Sequence, residues 1–297
     1  MWTTENIPDQ TGKTAIVTGA NSGIGYETAL ALYKHGAHVI VACRDAVKAK
    51  NAIEKIKHNE GKGTLEAGIL NLASLSEIKT FADDIRKKHT HLHLLINNAG
   101  VMIPPQSKTD DGYELQFGVN FLGHFALTGH LFPLLKETPQ ARVVTLSSGA
   151  YKFVEKIDFD NLRSEHSYDA NREYAISKLA DLQFMLELQR RAGDHIISTA
   201  AHPGVTETSL ARHMPEDVYK AARERFKELM PAWQGALPAL FAATSPLVKG
   251  ADYYGPDGEH ELVGYPAPAE LNDTAKDKAA AMKLWEYAEE ATGIHFG

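Results

Sequence analysis

Short apolar runs alternate with longer helical patterns along most of the chain. Buried strands are predicted at residues 15–17, 38–43, 68–72, 92–97, 143–147 and 196–200. A helical pattern at residues 25–35 follows the first run, and Gly36 is placed to end that helix in a left-handed conformation. Such alternation is typical of a parallel sheet with helices on both faces. We therefore predict an α/β fold with a doubly wound parallel sheet in three α/β/α layers.

The chain gives no sign of a division into separate domains. No internal repeat, low-complexity tract or linker rich in proline, glycine and serine interrupts its 297 residues. We therefore expect a single domain over residues 1–297, although a chain of this length also suits two smaller domains.

The C-terminal segment, residues 265–297, is expected to be a helical tail. Apolar residues recur there at spacings of three or four, at Ala275, Ala279, Met282, Trp285 and Ala288. Asn272 or Asp273 would be the N-cap of this helix, and Gly293 would stop it. Docking on its own domain is the favoured interpretation, while covering a ligand pocket or packing on a second subunit stays open.

Composition narrows the range of partners and locations. The chain has 31 basic and 38 acidic residues, and its net charge of −7 argues against nucleic acid or an anionic membrane as a partner. Cys43 is the only cysteine, which suits a reducing cytosol, so we expect a cytoplasmic protein. The most apolar stretch, residues 235–248, is too short to span a bilayer, and the polar first residues do not resemble a secretory signal.

A glycine-rich loop lies between the first predicted strand and the first helix. Its sequence is Thr-Gly-Ala-Asn-Ser-Gly-Ile-Gly, starting at Thr18. Without side chains at the glycines, backbone N–H groups and a helix N-terminus can approach a pyrophosphate. A glycine triplet alone often marks an ordinary turn, but this position indicates a dinucleotide site. We assign to cofactor binding Gly19, Asn21, Ser22, Gly23, Ile24 and Gly25.

The end of the second strand bears on the choice of dinucleotide. A dinucleotide fold contacts the adenosine ribose there, where an acidic residue favours a free 2′-hydroxyl and an arginine favours a 2′-phosphate. Arg44 comes first in this chain and Asp45 second. We expect Arg44 to bind the phosphate of NADP(H) through a bidentate contact. NAD(H) is the alternative, if Arg44 is a solvated loop residue and Asp45 binds the ribose.

Tyr174 and Lys178 form a candidate proton-transfer pair. They lie four residues apart in Tyr-Ala-Ile-Ser-Lys, so a helix would present both on one face. An ordinary phenol has a pKa of about 10. An ammonium about 4 Å away stabilises a phenolate by about 4 kcal/mol at an effective dielectric constant near 20. Aided by the positive charge of an oxidised nicotinamide, one lysine is therefore of the right order to bring the proton exchange near neutral pH. Such a pair in isolation is more often a chance surface arrangement.

Further motifs accompany this pair in a fixed order. Asn-Asn-Ala-Gly at residues 97–100 closes a strand, Ser147 and Ser148 end another, and Pro-Gly at 203–204 follows a third. Together with the glycine loop and Tyr-x-x-x-Lys, they resemble the short-chain dehydrogenase/reductase family over residues 12–260. The resemblance implies a Rossmann-like fold and an oxidoreductase that interconverts an alcohol and a carbonyl with NADP(H) or NAD(H).

The resemblance also implies roles for individual residues. Ser148 would hold or polarise the substrate oxygen, and Ser147 is its neighbouring alternative. Tyr174 would be the general acid/base, and Lys178 would bind the nicotinamide ribose and favour the phenolate. Asn120 matches the asparagine that supports a water-mediated proton relay. Tyr174 and Lys178 would touch the cofactor, as would Asn71, Leu72, Asn98, Ala99, Gly100, Pro203, Gly204, Val205 and Thr208.

A long separation points to one branch of the family. Tyr174 follows Ser148 by 26 positions, which resembles the retinol dehydrogenase and protochlorophyllide reductase branch. The light-driven reductases depend on cysteines, and this chain has only one. The resemblance implies a lipophilic substrate, a substrate lid at residues 206–249 and a homodimer. Met214, Met230 and Trp233 suit an adaptable apolar pocket in that lid, although core packing explains them equally well.

Other interpretations are weaker. A non-catalytic protein that senses a dinucleotide or binds a partner could use the same fold, but the complete set of expected catalytic residues argues against it. A sugar-nucleotide epimerase is disfavoured by the three-residue gap between Gly19 and Gly23. No metal site is expected, because His89, His91 and His93 lack a companion cysteine or carboxylate pattern.

Overall fold

The computed structural model describes residues 1–208, 210, 220 and 229–296. Within these residues, eight strands form one sheet in the spatial order β3-β2-β1-β4-β5-β6-β7-β8. The strands are β1 (Thr14–Thr18), β2 (His38–Cys43), β3 (Thr64–Ile69), β4 (Leu94–Asn97), β5 (Ala141–Leu146), β6 (Ile196–Ala201), β7 (Tyr253–Pro256) and β8 (Pro266–Pro268). Neighbouring strands are parallel, except that β8 runs antiparallel to β7. The predicted doubly wound sheet is confirmed.

Helices connect the strands and cover both faces of the sheet. The α-helices are α1 (Gly23–Lys34), α2 (Ala46–Lys57), α3 (Leu75–Lys88), α4 (Gly123–Glu137), α5 (Ala170–Ala192), α6 (Ala232–Gly235), α7 (Leu237–Thr244), α8 (Asp273–Lys276) and α9 (Lys278–Thr292). A π-helical segment, Phe117–Leu122, leads into α4. Short 3-10 helices lie at Thr4–Asn6, Gly149–Phe153, Phe159–Asn161 and Glu259–Glu261.

The central strands are apolar because both of their faces are covered. In β1, Ile16 packs in one core, to which α3, α4, α5 and α9 contribute, whereas Ala15 and Val17 pack in a second core with α1, α2 and α7. Successive strand side chains point to opposite faces. An uninterrupted apolar run therefore suits a sheet that is buried on both sides.

The strand order reverses between β1 and β4. From β1 the chain proceeds to β2 and β3 on one side of the sheet, and from β4 it proceeds to β5, β6 and β7 on the other. Open α/β sheets bind ligands in the crevice outside the carboxyl ends of the strands at such a reversal. The loops after β1 and β4 are therefore the expected centre of a site.

The third strand differs from its prediction. It spans residues 64–69 rather than 68–72, and it lies at the edge of the sheet. Its side chains are mostly exposed or half-buried, so it lacks a continuous apolar run. Leu70 and Leu72, which suggested the later position, are buried in the loop that follows the strand.

The C-terminal tail also differs in detail. One helix was predicted, but two form. Asn272 accepts a hydrogen bond from the N–H of Ala275 and caps α8, and Asp277 then caps α9 by accepting from two further N–H groups. Trp285 of α9 is buried with its ring 5.1 Å from Phe125 and 4.5 Å from Phe296. The tail thus packs against its own domain.

Candidate active site

A cavity of about 990 Å³ opens at the carboxyl ends of the central strands. Its wall includes the residues predicted to bind the cofactor, namely Gly19, Asn21, Ser22, Gly23, Ile24, Gly25, Arg44, Asn71, Leu72, Asn98, Ala99, Gly100, Tyr174, Lys178, Pro203, Gly204, Val205 and Thr208. Ser148 lines the same cavity. Asn120 lies behind the wall, 1% exposed. The fold therefore brings the predicted cofactor loop and the Tyr-Lys pair to one space.

Backbone conformation and crowding explain the glycine loop. Gly19 and Gly23 have φ angles of +68° and +55°, a region that favours glycine. A Cβ atom on Gly25 would lie 2.5 Å from Nδ2 of Asn98 and 2.6 Å from the carbonyl oxygen of Gly19. The compact loop leaves the N-terminus of α1 at the cavity. Its N–H groups and dipole suit a pyrophosphate, so a dinucleotide fits this loop.

Hydrogen bonds from Asn98 connect the loop after β4 to the end of β1. Its Nδ2 donates to the carbonyl oxygen of Thr18 at 2.6 Å, and the N–H groups of Asn98 and Ala99 both donate to Thr18 Oγ1 at 2.9 Å. Thr18 Oγ1 lies 2.9 Å from Nε2 of His124, whose Nδ1 lies 2.7 Å from the carbonyl oxygen of Asn120. Nδ1 must carry the ring hydrogen, so the threonine hydroxyl donates to Nε2. Burial lowers the pKa of His124 to about 4, which keeps the imidazole neutral.

Asn120 belongs to the π-helical segment before α4, a conformation often found at functional sites. Its Oδ1 accepts from the N–H of Val101 at 2.8 Å, and its Nδ2 donates to the carbonyl oxygen of Val101 and to Ser177 Oγ, both at 3.0 Å. Ser177 Oγ in turn donates to the carbonyl oxygen of Tyr174 at 2.7 Å. The Asn120 side chain thus joins the loop after β4 to the helix that carries Tyr174.

The two serines after β5 have different partners. Ser147 Oγ donates to the carbonyl oxygen of Lys178 at 2.8 Å and so ties β5 to α5. Ser148 caps the turn Gly149–Phe153, where its Oγ accepts from the N–H of Ala150 at 3.2 Å. Accepting this bond leaves the O–H of Ser148 available as a donor. Ser148 is therefore the better placed of the two to bind a substrate oxygen.

Tyr174 and Lys178 lie together on α5. They are 8% and 5% exposed, and Nζ of Lys178 lies 5.9 Å from the centre of the Tyr174 ring. Nζ donates to the carbonyl oxygen of Leu146 and to Oδ2 of Asp181, both at 2.8 Å. Asp181 was not predicted. Its position three residues after Lys178 on a helix is the signal that could have indicated it.

After β2, Asp45 is the N-cap of α2, whereas Arg44 and Lys48 are exposed cations. Oδ1 of Asp45 accepts from the N–H groups of Val47 and Lys48 at 2.9 and 3.0 Å, and it thereby caps α2. The cap interaction favours the ionised form, and the pKa of Asp45 lies below its ordinary value. Arg44 and Lys48 are exposed and both line the cavity.

Asn71 lies on the cavity wall with its amide partly engaged. Its Nδ2 donates to Glu77 Oε1 at 2.9 Å, and its Oδ1 accepts from the N–H of Ala73 at 3.1 Å. The second amide hydrogen leaves capacity for one more acceptor. Its contact with the adenine stays a prediction.

The three histidines at 89, 91 and 93 line one small cavity outside the active site, and His89 has a carboxylate companion that the sequence did not predict. His89 pairs with Glu66 at 3.1 Å, and His38 approaches the same carboxylate at 3.4 Å. These groups lie at the amino end of β2, away from the active-site cavity. The ammonium of Lys88 also contacts the Glu66 carboxylate, at 2.7 Å. We therefore assign no metal to the cluster of His38, Glu66 and His89.

Much of the predicted lid, residues 206–249, lies outside the described residues, namely 209, 211–219 and 221–228, and Met214 is among them. In the described part, Met230 is buried and accepts at Sδ from the N–H of Gly264, whereas Trp233 is 47% exposed. The lid therefore stays a prediction. Over the residues that the structure describes, no helix has the length and apolar character needed to cross a bilayer.

A dinucleotide loop and a Tyr-Lys pair in one cavity define a dinucleotide-dependent oxidoreductase site. The sequence profile for short chain dehydrogenase matches residues 13–218. The chain is 39% identical to retinol dehydrogenase 14 of Mus musculus, over 95% of this chain and 86% of that protein. It is 38% identical to polyprenol dehydrogenase of Homo sapiens, over 97% and 87% of the two chains.

A solved structure extends the likeness to the whole fold. The crystal structure of an uncharacterised protein from Mycobacterium paratuberculosis is 36% identical, with a TM-score of 0.81, and the match covers 100% of this chain and 99% of that one. The chain belongs to the short-chain dehydrogenase/reductase family, in its retinol dehydrogenase-like branch. It is thus an enzyme that uses NAD(P)(H) and interconverts alcohols and carbonyls.

We predict that Gly25→Ala weakens NADPH binding at least about tenfold, because the new methyl group forces apart the two loops that hold the dinucleotide. Fluorescence titration with NADPH measures the affinity, and thermal unfolding reports stability. Gly149→Ala is the matched control, since a Cβ atom there meets no atom within 4 Å. Equal affinities in the two variants would contradict the packing described for Gly25.

Proposed function

We propose that the enzyme is an NADP(H)-dependent oxidoreductase of lipophilic alcohols and their carbonyls. The observation that carries the proposal is that Ser148, Tyr174 and Lys178 share one cavity with the glycine loop. Substrate and cofactor would therefore meet at the phenol of Tyr174.

The rest of the cavity supports a lipophilic substrate. Beyond the cofactor loops, its wall is largely apolar, and it includes Val101, Met102, Ile103, Leu115, Val119, Phe153 and Leu229. Phe153 is 84% exposed and adds an aromatic side chain to this wall. The names of the similar proteins, retinol dehydrogenase and polyprenol dehydrogenase, also denote long apolar alcohols.

The proton chemistry would be performed by the chain itself. In the direction of carbonyl reduction, Ser148 would donate a hydrogen bond to the carbonyl oxygen, and Tyr174 would give that oxygen its proton. Lys178 would favour the phenolate that results and would bind the nicotinamide ribose. In alcohol oxidation, the phenolate of Tyr174 would take the proton back. The bound nicotinamide supplies or accepts the hydride.

The remaining predictions concern the surroundings of this site. Asn120 would act mainly by holding the loop after β4 against α5, because its side-chain donors and acceptor are engaged there. Of the predicted lid, residues 206–249, the part before α7 would cover the substrate and includes the exposed Trp233, whereas α7 packs in the second core. A homodimer and a cytoplasmic location stay predictions.

We predict that Tyr174→Phe lowers kcat by about two to four orders of magnitude, the range typical of a lost general acid/base. NADPH affinity should hardly change, because the ring remains. NADPH oxidation with a lipophilic aldehyde such as retinaldehyde provides the assay. Tyr168→Phe is the matched control, since the Tyr168 hydroxyl donates to the carbonyl oxygen of Pro104. Full turnover by Tyr174→Phe would refute the assigned role.

The cofactor preference rests on charges at the end of β2. Asp45 uses one carboxylate oxygen to cap α2, which makes it less suited to bind two ribose hydroxyls. Arg44 and Lys48 both line the cavity beside it, and two cations suit the 2′-phosphate of NADP(H). This arrangement favours Arg44 as the phosphate-binding residue over the alternative in which Asp45 selects NAD(H).

We predict that Arg44→Gln lowers kcat/KM for NADPH by about ten- to a hundredfold, the loss of one charge-assisted contact, and leaves that for NADH nearly unchanged. Lys50→Gln removes a cation from α2 that is exposed and not on the cavity wall, so it should alter neither value. A wild-type preference for NADH, or an equal loss with both cofactors in Arg44→Gln, would defeat the assignment.

A further inference from the structure

Asp181 is a nearly fully buried carboxylate directly behind Lys178. The two residues are 1% and 5% exposed, and Nζ donates to Oδ2 at 2.8 Å. The other oxygen, Oδ1, is buried and has no hydrogen-bond partner among the described residues. Burying an ion pair with incomplete hydrogen bonding costs stability compared with an apolar pair. A role beyond folding would account for a carboxylate at this position.

The hydrogen bonds of Lys178 do not by themselves require a charged acceptor at position 181. Nζ also donates to the carbonyl oxygen of Leu146 at 2.8 Å, and a neutral amide at position 181 could accept the other hydrogen bond. Asp181 adds a negative charge within one helical turn of the ammonium. That charge opposes the effect of Lys178 on the Tyr174 phenol.

The other titratable groups that face the pair are neutral in the working pH range. From α4, His124 approaches Lys178, and burial lowers the pKa of His124 to about 4. From β7, Tyr253 faces Tyr174, and burial raises the pKa of Tyr253 well above its ordinary value. In the described part of the chain, Asp181 is therefore the charge that opposes Lys178.

Burial and mutual attraction act in opposite directions on the charged forms of Asp181 and Lys178. Burial raises the pKa of Asp181 to about 7, against the opposing effect of the ammonium, so Asp181 is ionised on the alkaline side of neutral pH. Burial disfavours the charged form of Lys178, but the charges of Asp181 and Tyr174 raise the pKa of Lys178 above its ordinary value. Lys178 therefore stays charged, and the charge on Asp181 determines the net field at the phenol.

We propose that Asp181 sets the pH range in which Tyr174 exchanges its proton, by partly cancelling the Lys178 charge that favours the phenolate. The inference rests on the proposed acid/base role of Tyr174. An ionised Asp181 makes the phenolate less stable than a lone ammonium would, so alcohol oxidation requires a higher pH. Asp181 acts through Lys178 and is therefore a positioning residue.

Asp181→Asn tests this role, because it keeps the size and a hydrogen-bond acceptor but removes the charge. Alcohol oxidation with NADP⁺ would be followed as kcat/KM from neutral to alkaline pH, and the midpoint of its rise recorded. We expect the midpoint to fall by about one pH unit, as for a unit charge removed about 10 Å away at an effective dielectric constant near 20.

Glu187→Gln is the matched control on the same helix. It also removes a buried carboxylate, 4% exposed, but one that pairs with Arg190 and Arg191. Its midpoint should equal that of the wild type, whatever its stability. A purely structural Asp181 would lower the thermal stability of Asp181→Asn without moving the midpoint, and that result would overturn the proposal.

Failure of this inference can be told apart from failure of the proposed function. Absence of wild-type turnover, or full activity of Tyr174→Phe, contradicts the proposed function. Wild-type turnover that Tyr174→Phe abolishes, together with an unshifted Asp181→Asn profile, overturns the role of Asp181 alone. Should Asp181→Asn not fold, Asp181→Ser removes the same charge and is judged by the same midpoint.

Discussion

The burial of the Lys178 ammonium beside a phenol is the constraint on which the site depends. A buried cation needs hydrogen-bond acceptors and is favoured by a nearby negative charge, and the fold provides both. The last residue of β5, Leu146, supplies a carbonyl oxygen, and α5 supplies the carboxylate of Asp181. The same helix presents Tyr174 on the face that carries Lys178. The packing of α5 against β5 therefore fixes the electrostatics of the reaction.

A second constraint links this helix to the cofactor loop. Thr18 at the end of β1 is bonded to the loop after β4, and His124 and Asn120 continue the contact through Ser177 to α5. Each member is buried or half-buried, and a buried polar network is stable only when its groups are satisfied. The network keeps the pyrophosphate loop and the phenol in a fixed relation, which suits a reaction that needs both at one substrate atom.

Much of this arrangement could be predicted from the sequence. Continuous apolar runs located the central strands, because strands covered on both faces need no polar alternation. Glycines at the first strand-to-helix junction located the cofactor loop. The helical spacing of Tyr174 and Lys178 indicated the proton chemistry only together with the motifs that accompany the pair. The family resemblance supplied Ser148, and the separate partners of the two serines explain in structural terms why it is preferred to Ser147.

Other features could not be predicted, because they depend on tertiary contacts. The edge position of β3 allows polar residues in the strand. The prediction followed the apolar residues just after the strand and therefore placed its start four residues too late. Asp277 breaks the tail into two helices by capping the second, although the apolar spacing continues across it. Asp181 resembles an ordinary helix-surface carboxylate until the fold buries it behind Lys178. The use of Asp45 as a helix cap likewise needs the backbone geometry of α2.

We propose that a lipophilic carbonyl and NADP(H) meet in the cavity that Tyr174 lines. Label transfer tests it most directly, with NADPH deuterated at the reactive carbon of the nicotinamide and a series of aldehydes of increasing chain length. We expect deuterium on the alcohol carbon of the product and a kcat/KM that rises with chain length. Binding of NADPH without transfer of deuterium to any lipophilic carbonyl would contradict it.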